Sequence, residues 1–164
     1  MAQWVYIETT IVSYLTAWPS RDIIRSAQQQ ITRDWWDHHR SSFRLYTSQI
    51  VRLEAEAGDV KAAADRMKIL SRLPLLDITE TSLSIARALI RAAALPAAAR
   101  RDAEHVGVAA AHGMDYLLTW NCRHLANVAQ RDKIEEVCAD FDFRAPKICT
   151  PEELFGDSHG RSIG

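Results

Sequence analysis

The sequence has no long hydrophobic run. Its 164 residues contain nothing that approaches the roughly 20 consecutive apolar residues that span a bilayer. The N-terminus lacks the basic segment and apolar stretch of a signal peptide, because a strand pattern begins almost at once. We therefore expect a cytoplasmic protein with no membrane partner.

Cysteine and glycine are both scarce. The three cysteines (Cys122, Cys138 and Cys149) form no CxxC pair and are odd in number, which predicts reduced cytosolic thiols and no zinc finger. The six glycines form neither GxxxxGK[ST] nor GxGxxG, so the sequence has no phosphate-binding loop. A GxSxG motif is also missing, which leaves an α/β-hydrolase nucleophile unsupported.

Charge of one sign is lacking as well. The formal net charge is −1, which gives no nucleic-acid footprint in bulk, so any RNA binding must come from local clusters. A composition of 48% hydrophobic and 25% charged residues is that of an ordinary globular protein, and the length fits one domain.

Short strand patterns alternate with helical patterns along the chain. Five strands are predicted, at residues 4–7, 43–47, 75–78, 116–120 and 147–149. Helix caps are predicted at Thr9 or Thr10, and at Ser48. Such alternation predicts one α/β domain over residues 1–155, with a five-stranded, mostly parallel sheet and helices on both faces. The polar residues 156–164 are expected to form a disordered tail.

Four polar side chains stand where strands end or on apolar helix faces. Glu8 follows the first strand, and Asn121 ends the fourth. Glu54 and Asp102 each share a helix face with apolar residues. An unpaired carboxylate on such a face costs several kcal/mol to bury, so it needs a partner or a metal ion. The alternatives are that Glu8 complements a helix dipole and that Glu54 lies at the rim of the core.

Carboxylate and amide oxygens are the ligands of hard divalent ions. Clustered carboxylates repel one another, so without a cation at least one of them would keep its proton. Mg²⁺ or Mn²⁺ held by few carboxylates and several waters is the usual site of phosphate chemistry.

The motifs around these residues resemble a known series. The series is Tyr6-Ile7-Glu8-Thr9-Thr10, then Ser48-Gln49-Ile50-Val51 leading to Glu54, then Asp102-Ala103-Glu104-His105, then Leu118-Thr119-Trp120-Asn121. It is similar to the motif series of PIN-domain nucleases, in particular the VapC-type toxins of bacterial toxin–antitoxin pairs. The resemblance runs from Val5 to Leu154, with the motifs in the expected order.

The resemblance implies a role for each matching position. It makes Glu8, Glu54, Asp102 and Asn121 the catalytic residues and the metal ligands. Thr9, or else Thr10, would supply a supporting hydroxyl. Glu8 stands where the family usually has Asp, and Asn121 replaces what is often a fourth Asp, which removes one negative charge from the site.

Further residues near the motifs have two interpretations each. His105 lies on the same side of its helix as Asp102, so it either orients a ligand or is a satisfied core histidine, and the second interpretation is preferred. Arg100, Arg101, Arg123 and His124 either meet RNA phosphates or are solvated surface charges. Trp35 and Trp36 together exceed one narrow helix face, which fits a wide core face or an apolar patch for a partner.

The resemblance implies a Mg²⁺- or Mn²⁺-dependent endoribonuclease that cleaves RNA, is neutralised by a cognate antitoxin protein and forms a homodimer. One alternative is a catalytically weak PIN-like module that binds RNA or a protein partner, which the departures at Glu8 and Asn121 favour. The weakest alternative is a response-regulator receiver domain, which would need an Asp pair after the first strand.

Overall fold

The computed structural model describes residues 2–121, 125 and 128–159. Strands and helices alternate through these residues, with short 3₁₀ turns at Arg40–Ser42 and Ala97–Ala99. The strands are β1 Gln3–Ile7, β2 Phe43–Ser48, β3 Leu75–Leu76, β4 Tyr116–Leu118 and β5 Lys147–Cys149. The helices are α1 Thr9–Thr16, α2 Ile23–His38, α3 Gln49–Ala55, α4 Val60–Leu70, α5 Glu80–Arg91, α6 Arg100–Ala111, α7 Val128–Asp140 and α8 Pro151–His159.

The five strands form one sheet in the order β3-β2-β1-β4-β5, and every pair is parallel. The predicted α/β fold with a five-stranded sheet is therefore confirmed, and the sheet is wholly rather than mostly parallel. The receiver-domain alternative is wrong, because receiver domains have the strand order 2-1-3-4-5.

Strand β1 lies at the centre of the sheet. Its residues Val5, Tyr6 and Ile7 are all 0% exposed. Successive strand residues point to opposite faces, so this burial means that both faces of the sheet are covered, as the sequence predicted.

Two helix starts differ from the prediction. The N-cap of α1 is Glu8, whose side chain accepts a hydrogen bond from the Thr10 amide, and not Thr9 or Thr10. Ser48 does hold the N-cap position of α3, but its side chain makes no capping bond, because its hydroxyl is bonded to Tyr6 instead. The cap of α1 is thus local but lies one residue earlier than predicted, whereas at Ser48 a tertiary contact replaces the capping bond.

Helices α5 and α6 pack closely at one glycine. A Cβ atom placed on Gly107 would lie 2.3 Å from the carbonyl oxygen of Ser82. Helix α6 ends at Ala111, and Gly113 soon after it has a φ of +69°, the left-handed conformation expected of a helix stop.

The paired tryptophans divide between core and surface. Trp35 is 0% exposed, whereas Trp36 is partly buried and lies beneath the Arg40 guanidinium, 4.7 Å from the ring centroid. The preferred interpretation, a wide core face, thus accounts for Trp35.

The chain's last described element is α8. It reaches His159 and so includes the first four residues of the tail that was expected to be disordered, while residues 160–164 lie outside the described residues. Among the described residues, no helix combines the length and the apolar character needed to cross a membrane.

Candidate functional site

The predicted site residues follow the two central strands. β1 and β4 are neighbours, with Ile7 opposite Leu118, although β4 comes much later in the chain. From β1 the chain order runs outward in one direction through β2 to β3, and from β4 it runs in the other direction to β5. This is a topological switch point, and open α/β sheets bind their ligands outside the carboxyl ends of the strands at such a point.

Glu8 leaves β1 with its side chain turned inward. The residue is 4% exposed, and its Oε2 accepts hydrogen bonds from the Thr10 amide at 2.9 Å, the Thr10 hydroxyl and the Thr119 hydroxyl at 2.9 Å. Burial raises the pKa of this carboxyl above its ordinary value, against the lowering effects of His105 and of these hydrogen bonds. The helix-capping alternative for Glu8 is therefore present in the structure.

Asp102 and Asn121 are brought together from distant parts of the chain. The Asn121 side-chain amide donates to Asp102 Oδ1 at 3.0 Å. The Asn121 backbone amide donates to the Thr119 hydroxyl at 2.9 Å, and that same hydroxyl donates to Glu8. The predicted partner for the Asp102 carboxylate is thus, in part, another predicted site residue.

Glu54 is held by two polar side chains. Its Oε1 accepts from the Thr9 hydroxyl at 2.8 Å and lies 2.6 Å from His105 Nε2. Thr9 thus supplies the hydroxyl that contacts Glu54, while the Thr10 hydroxyl contacts Glu8. Glu54 keeps 28% of its side chain exposed, whereas His105 has none.

The Glu54–His105 contact favours the charged form of both side chains. Burial raises the pKa of the Glu54 carboxyl, but the hydrogen bond and charge of His105 outweigh it, so the pKa falls below its ordinary value. For His105 the signs are opposite. Burial lowers its pKa, but the hydrogen bond to Glu54 and the charges of Glu8 and Glu54 outweigh burial and raise the pKa. The preferred interpretation of His105 as a satisfied buried histidine describes its environment, yet its partner is a predicted catalytic residue.

Sequence reasoning missed three residues of the site. The Tyr6 hydroxyl lies 2.7 Å from Ser48 Oγ and 2.7 Å from His105 Nδ1, and all three residues are 0% exposed. Thr119, also 0% exposed, joins Glu8 to Asn121. Two signals were available, since a buried tyrosine hydroxyl needs a hydrogen-bond partner and Ser48 ends the strand beside Tyr6.

Two of the four flanking basic residues are described. The Arg100 side chain is 84% exposed and pairs with Glu104 at 3.4 Å. Arg101 is exposed, and its charge is one of the effects that lower the pKa of Glu54. Arg123 and His124 lie outside the described residues. Arg101 is thus a positive charge near the predicted catalytic carboxylate.

Whether the described side chains could bind a metal ion together depends on how they are grouped. Within residues 2–121, 125 and 128–159, no three His, Cys, Asp or Glu side chains are grouped so that they could hold a metal ion. The oxygens of Glu54, Asp102 and Asn121 nevertheless suit a hard ion, since Mg²⁺ usually keeps several waters and takes only one or two protein carboxylates.

The sequence was also compared with known proteins. It matches no protein-family model. The comparison with curated proteins likewise found no match.

Proposed function

We propose that the chain is a divalent-metal-dependent endoribonuclease that hydrolyses RNA phosphodiester bonds, and that it acts as the toxin of a toxin–antitoxin pair. The resemblance to PIN-domain nucleases supplies the reaction. The observation that carries the proposal is that predicted site residues from four separate segments contact one another, in two groups, beside the switch point of the sheet. Thr9 contacts Glu54, Asn121 contacts Asp102, and Thr119 links Asn121 to Glu8.

The residues that would hold Mg²⁺ or Mn²⁺ are Asp102, Glu54, Asn121 and Glu8. When bound, the ion supplies a lowered pKa for an attacking water and stabilisation of the leaving oxygen. Asp102 and Glu54 provide the negative charge that attracts it. Asn121 orients the Asp102 carboxylate, and Thr9 and His105 orient that of Glu54. Arg101 carries a positive charge beside Glu54 that suits an RNA phosphate.

The proposal is tested by RNA cleavage with Mn²⁺ and with EDTA. Wild type should cleave a single-stranded RNA only with Mn²⁺. Asp102→Asn and Glu54→Gln should each lose cleavage, by at least about 100-fold if the carboxylate holds the ion. Glu56→Gln is the matched control, because Glu56 is an exposed carboxyl two residues from Glu54 and should keep full activity.

Thermal melts of Asp102→Asn separate a metal ligand from a structural carboxylate. In EDTA the free energy of unfolding of the variant should lie within about 1 kcal/mol of that of wild type, since an amide oxygen can still accept the bond from Asn121. In excess Mn²⁺ only wild type should gain stability, because the ion binds the native state. Equal destabilisation in both conditions, with cleavage retained, would show that Asp102 is structural and that the assignment is wrong.

A second candidate is a PIN-like module that binds RNA or a protein partner with little catalysis. The buried, hydrogen-bonded Glu8 favours it, because this carboxylate caps α1 and contacts Thr119. RNA binding in EDTA without cleavage in Mn²⁺ would select this candidate over the nuclease.

The proposed protein partners are a cognate antitoxin and a second copy of the chain. Three large apolar side chains are strongly exposed near the start of α2: Trp18 at 87%, Ile23 at 85% and Ile24 at 71%. Exposure of several large apolar side chains within one short stretch of chain fits a protein contact. For the antitoxin, we expect a short neighbouring reading frame that encodes a DNA-binding protein. That protein should copurify with this chain.

A further inference from the structure

We propose that Tyr6 and His105, with Ser48 behind them, are positioning residues for Glu54. Together they hold Oε1 in hydrogen bonds to the protein and leave Oε2 as the oxygen that meets a ligand at the carboxyl ends of the strands. The identity of that ligand as a divalent ion rests on the proposed function, whereas the positioning of the carboxylate does not.

The hydrogen bonds form an unbroken chain from the core to the partly exposed Glu54. Ser48 Oγ lies 2.7 Å from the Tyr6 hydroxyl, which lies 2.7 Å from His105 Nδ1. The other ring nitrogen, Nε2, lies 2.6 Å from Glu54 Oε1. We call this set, Ser48, Tyr6, His105 and Glu54, the buried relay. Its first three members are 0% exposed, so water does not compete for their bonds.

Donors and acceptors match along the whole relay. A carboxylate only accepts, so Nε2 must donate its proton to Glu54. With one proton on the ring, Nδ1 accepts from Tyr6, which accepts from Ser48. With two, Nδ1 donates to Tyr6, which donates to Ser48. Both hydroxyls can turn, so the ring keeps its place in either form and every buried polar atom has a partner.

Each member of the relay comes from a different element. Tyr6 lies in β1, Ser48 ends β2, Glu54 lies in α3 and His105 in α6. The ring of His105 is also packed edge-on against that of Tyr6, with centroids 5.7 Å apart. The relay therefore fixes the position of Glu54 relative to the central strand and to the helix that carries Asp102.

Both described hydrogen bonds to Glu54 end on the same oxygen. Thr9 and His105 each contact Oε1, and 28% of the Glu54 side chain remains exposed. A carboxylate whose one oxygen is occupied in this way has lost most of its rotational freedom. A pre-oriented ligand avoids part of the entropy cost of binding an ion.

The test measures Mn²⁺ binding to the full chain without RNA. Tyr6→Phe removes the hydroxyl and keeps the ring, and His105→Leu removes both ring nitrogens. Each should weaken Mn²⁺ binding by about 10- to 100-fold, the usual effect of removing a residue that supports a metal ligand. His105→Gln should recover part of the loss, because its amide can still donate to Glu54.

Two controls separate positioning from general damage to the fold. Tyr116→Phe removes a hydroxyl from a buried strand tyrosine outside the relay, and His112→Gln changes the histidine at the end of α6. Both should bind Mn²⁺ as wild type does. If Tyr6→Phe and His105→Leu lower the melting temperature yet bind Mn²⁺ like wild type, their role is merely structural and the positioning proposal is overturned.

A metal-free measurement keeps this proposal distinct from the nuclease assignment. In wild type with EDTA, the buried Nε2 proton should give a downfield, slowly exchanging NMR signal that disappears in His105→Leu. It should shift in Glu54→Gln and exchange faster in Tyr6→Phe. If these NMR changes are seen but wild type neither binds Mn²⁺ nor cleaves RNA, the nuclease assignment is refuted and the relay is supported. If the signal is the same in wild type, Glu54→Gln and Tyr6→Phe, the relay is overturned.

Discussion

Glu8 is the residue whose chemistry departs most from the simple motif. Its extra methylene lets the carboxylate turn back to cap α1 and to accept from Thr119, where it is 4% exposed. Burial disfavours the charged form and raises the pKa of the carboxyl. Burial therefore works against the negative charge that a metal ligand needs.

This raised pKa predicts how stability depends on pH. In the unfolded chain Glu8 ionises near its ordinary pKa of 4.5, whereas in the folded chain it holds its proton to a higher pH. Protonated Glu8 thus contributes fully to the free energy of unfolding below pH 4.5, and this contribution is lost as the pH rises through the raised pKa. Urea unfolding in EDTA, at a series of pH values from 4.5 upward, should show Glu8→Gln gaining on wild type as the pH rises.

Gln keeps an oxygen that can accept from Thr10 and Thr119, so the comparison isolates the charge. Glu56→Gln, at an exposed position, is the control and should show a much smaller change with pH. A difference between Glu8→Gln and wild type that stays constant over the same pH range would mean that Glu8 ionises as freely in the folded chain as in the unfolded one.

Among the elements, α6 connects the core to the candidate site. It carries Asp102 and His105 near its start and Gly107 in its middle, where α5 crosses closely. The close packing of Gly107 against Ser82 therefore helps to fix the helix that carries Asp102 and His105. The same helix thus carries the close packing contact at Gly107 and the hydrogen-bonding side chains of Asp102 and His105.

Gly107→Ala should reverse the usual effect of such a change. In an ordinary helix interior, Ala stabilises relative to Gly by about 0.5–1 kcal/mol. Here the new Cβ would meet the Ser82 carbonyl oxygen at 2.3 Å, which is backbone and cannot rotate away. We expect destabilisation of about 1–3 kcal/mol in urea unfolding, as in other overpacked cores. A variant as stable as wild type, or more so, would contradict this close approach of α5 and α6.

At the scale of the molecule, the exposed apolar residues near the start of α2 predict self-association. Wild type should be a dimer by light scattering at micromolar concentration. Ile23→Ser with Ile24→Ser should shift it toward monomer, because the two side chains are 85% and 71% exposed and would lose their apolar contact. Val60→Ser is the matched control, since Val60 is also 85% exposed but begins α4. A monomeric wild type would refute the homodimer.

Much of the fold could be predicted because its signals are local. Apolar and alternating runs predicted the five strands, and helical periods predicted the helices between them. The strand ends were less certain, as β3 is only Leu75–Leu76 and β4 stops at Leu118. Strand length depends on which neighbour pairs, and pairing is not a local property.

The sequence by itself determined the order of elements, the parallel sheet and the residue types at the carboxyl ends of its strands. Those follow from periodicity and from the chemistry of short segments. The tertiary structure alone decided that Glu8 turns inward, that Ser48 serves Tyr6 instead of capping α3, and that His105 contacts Glu54. The contacts of Tyr6 with Ser48 and of Glu8 with Thr119 join residues that are 42 and 111 positions apart. Only the packing of the sheet brings their atoms within bonding distance.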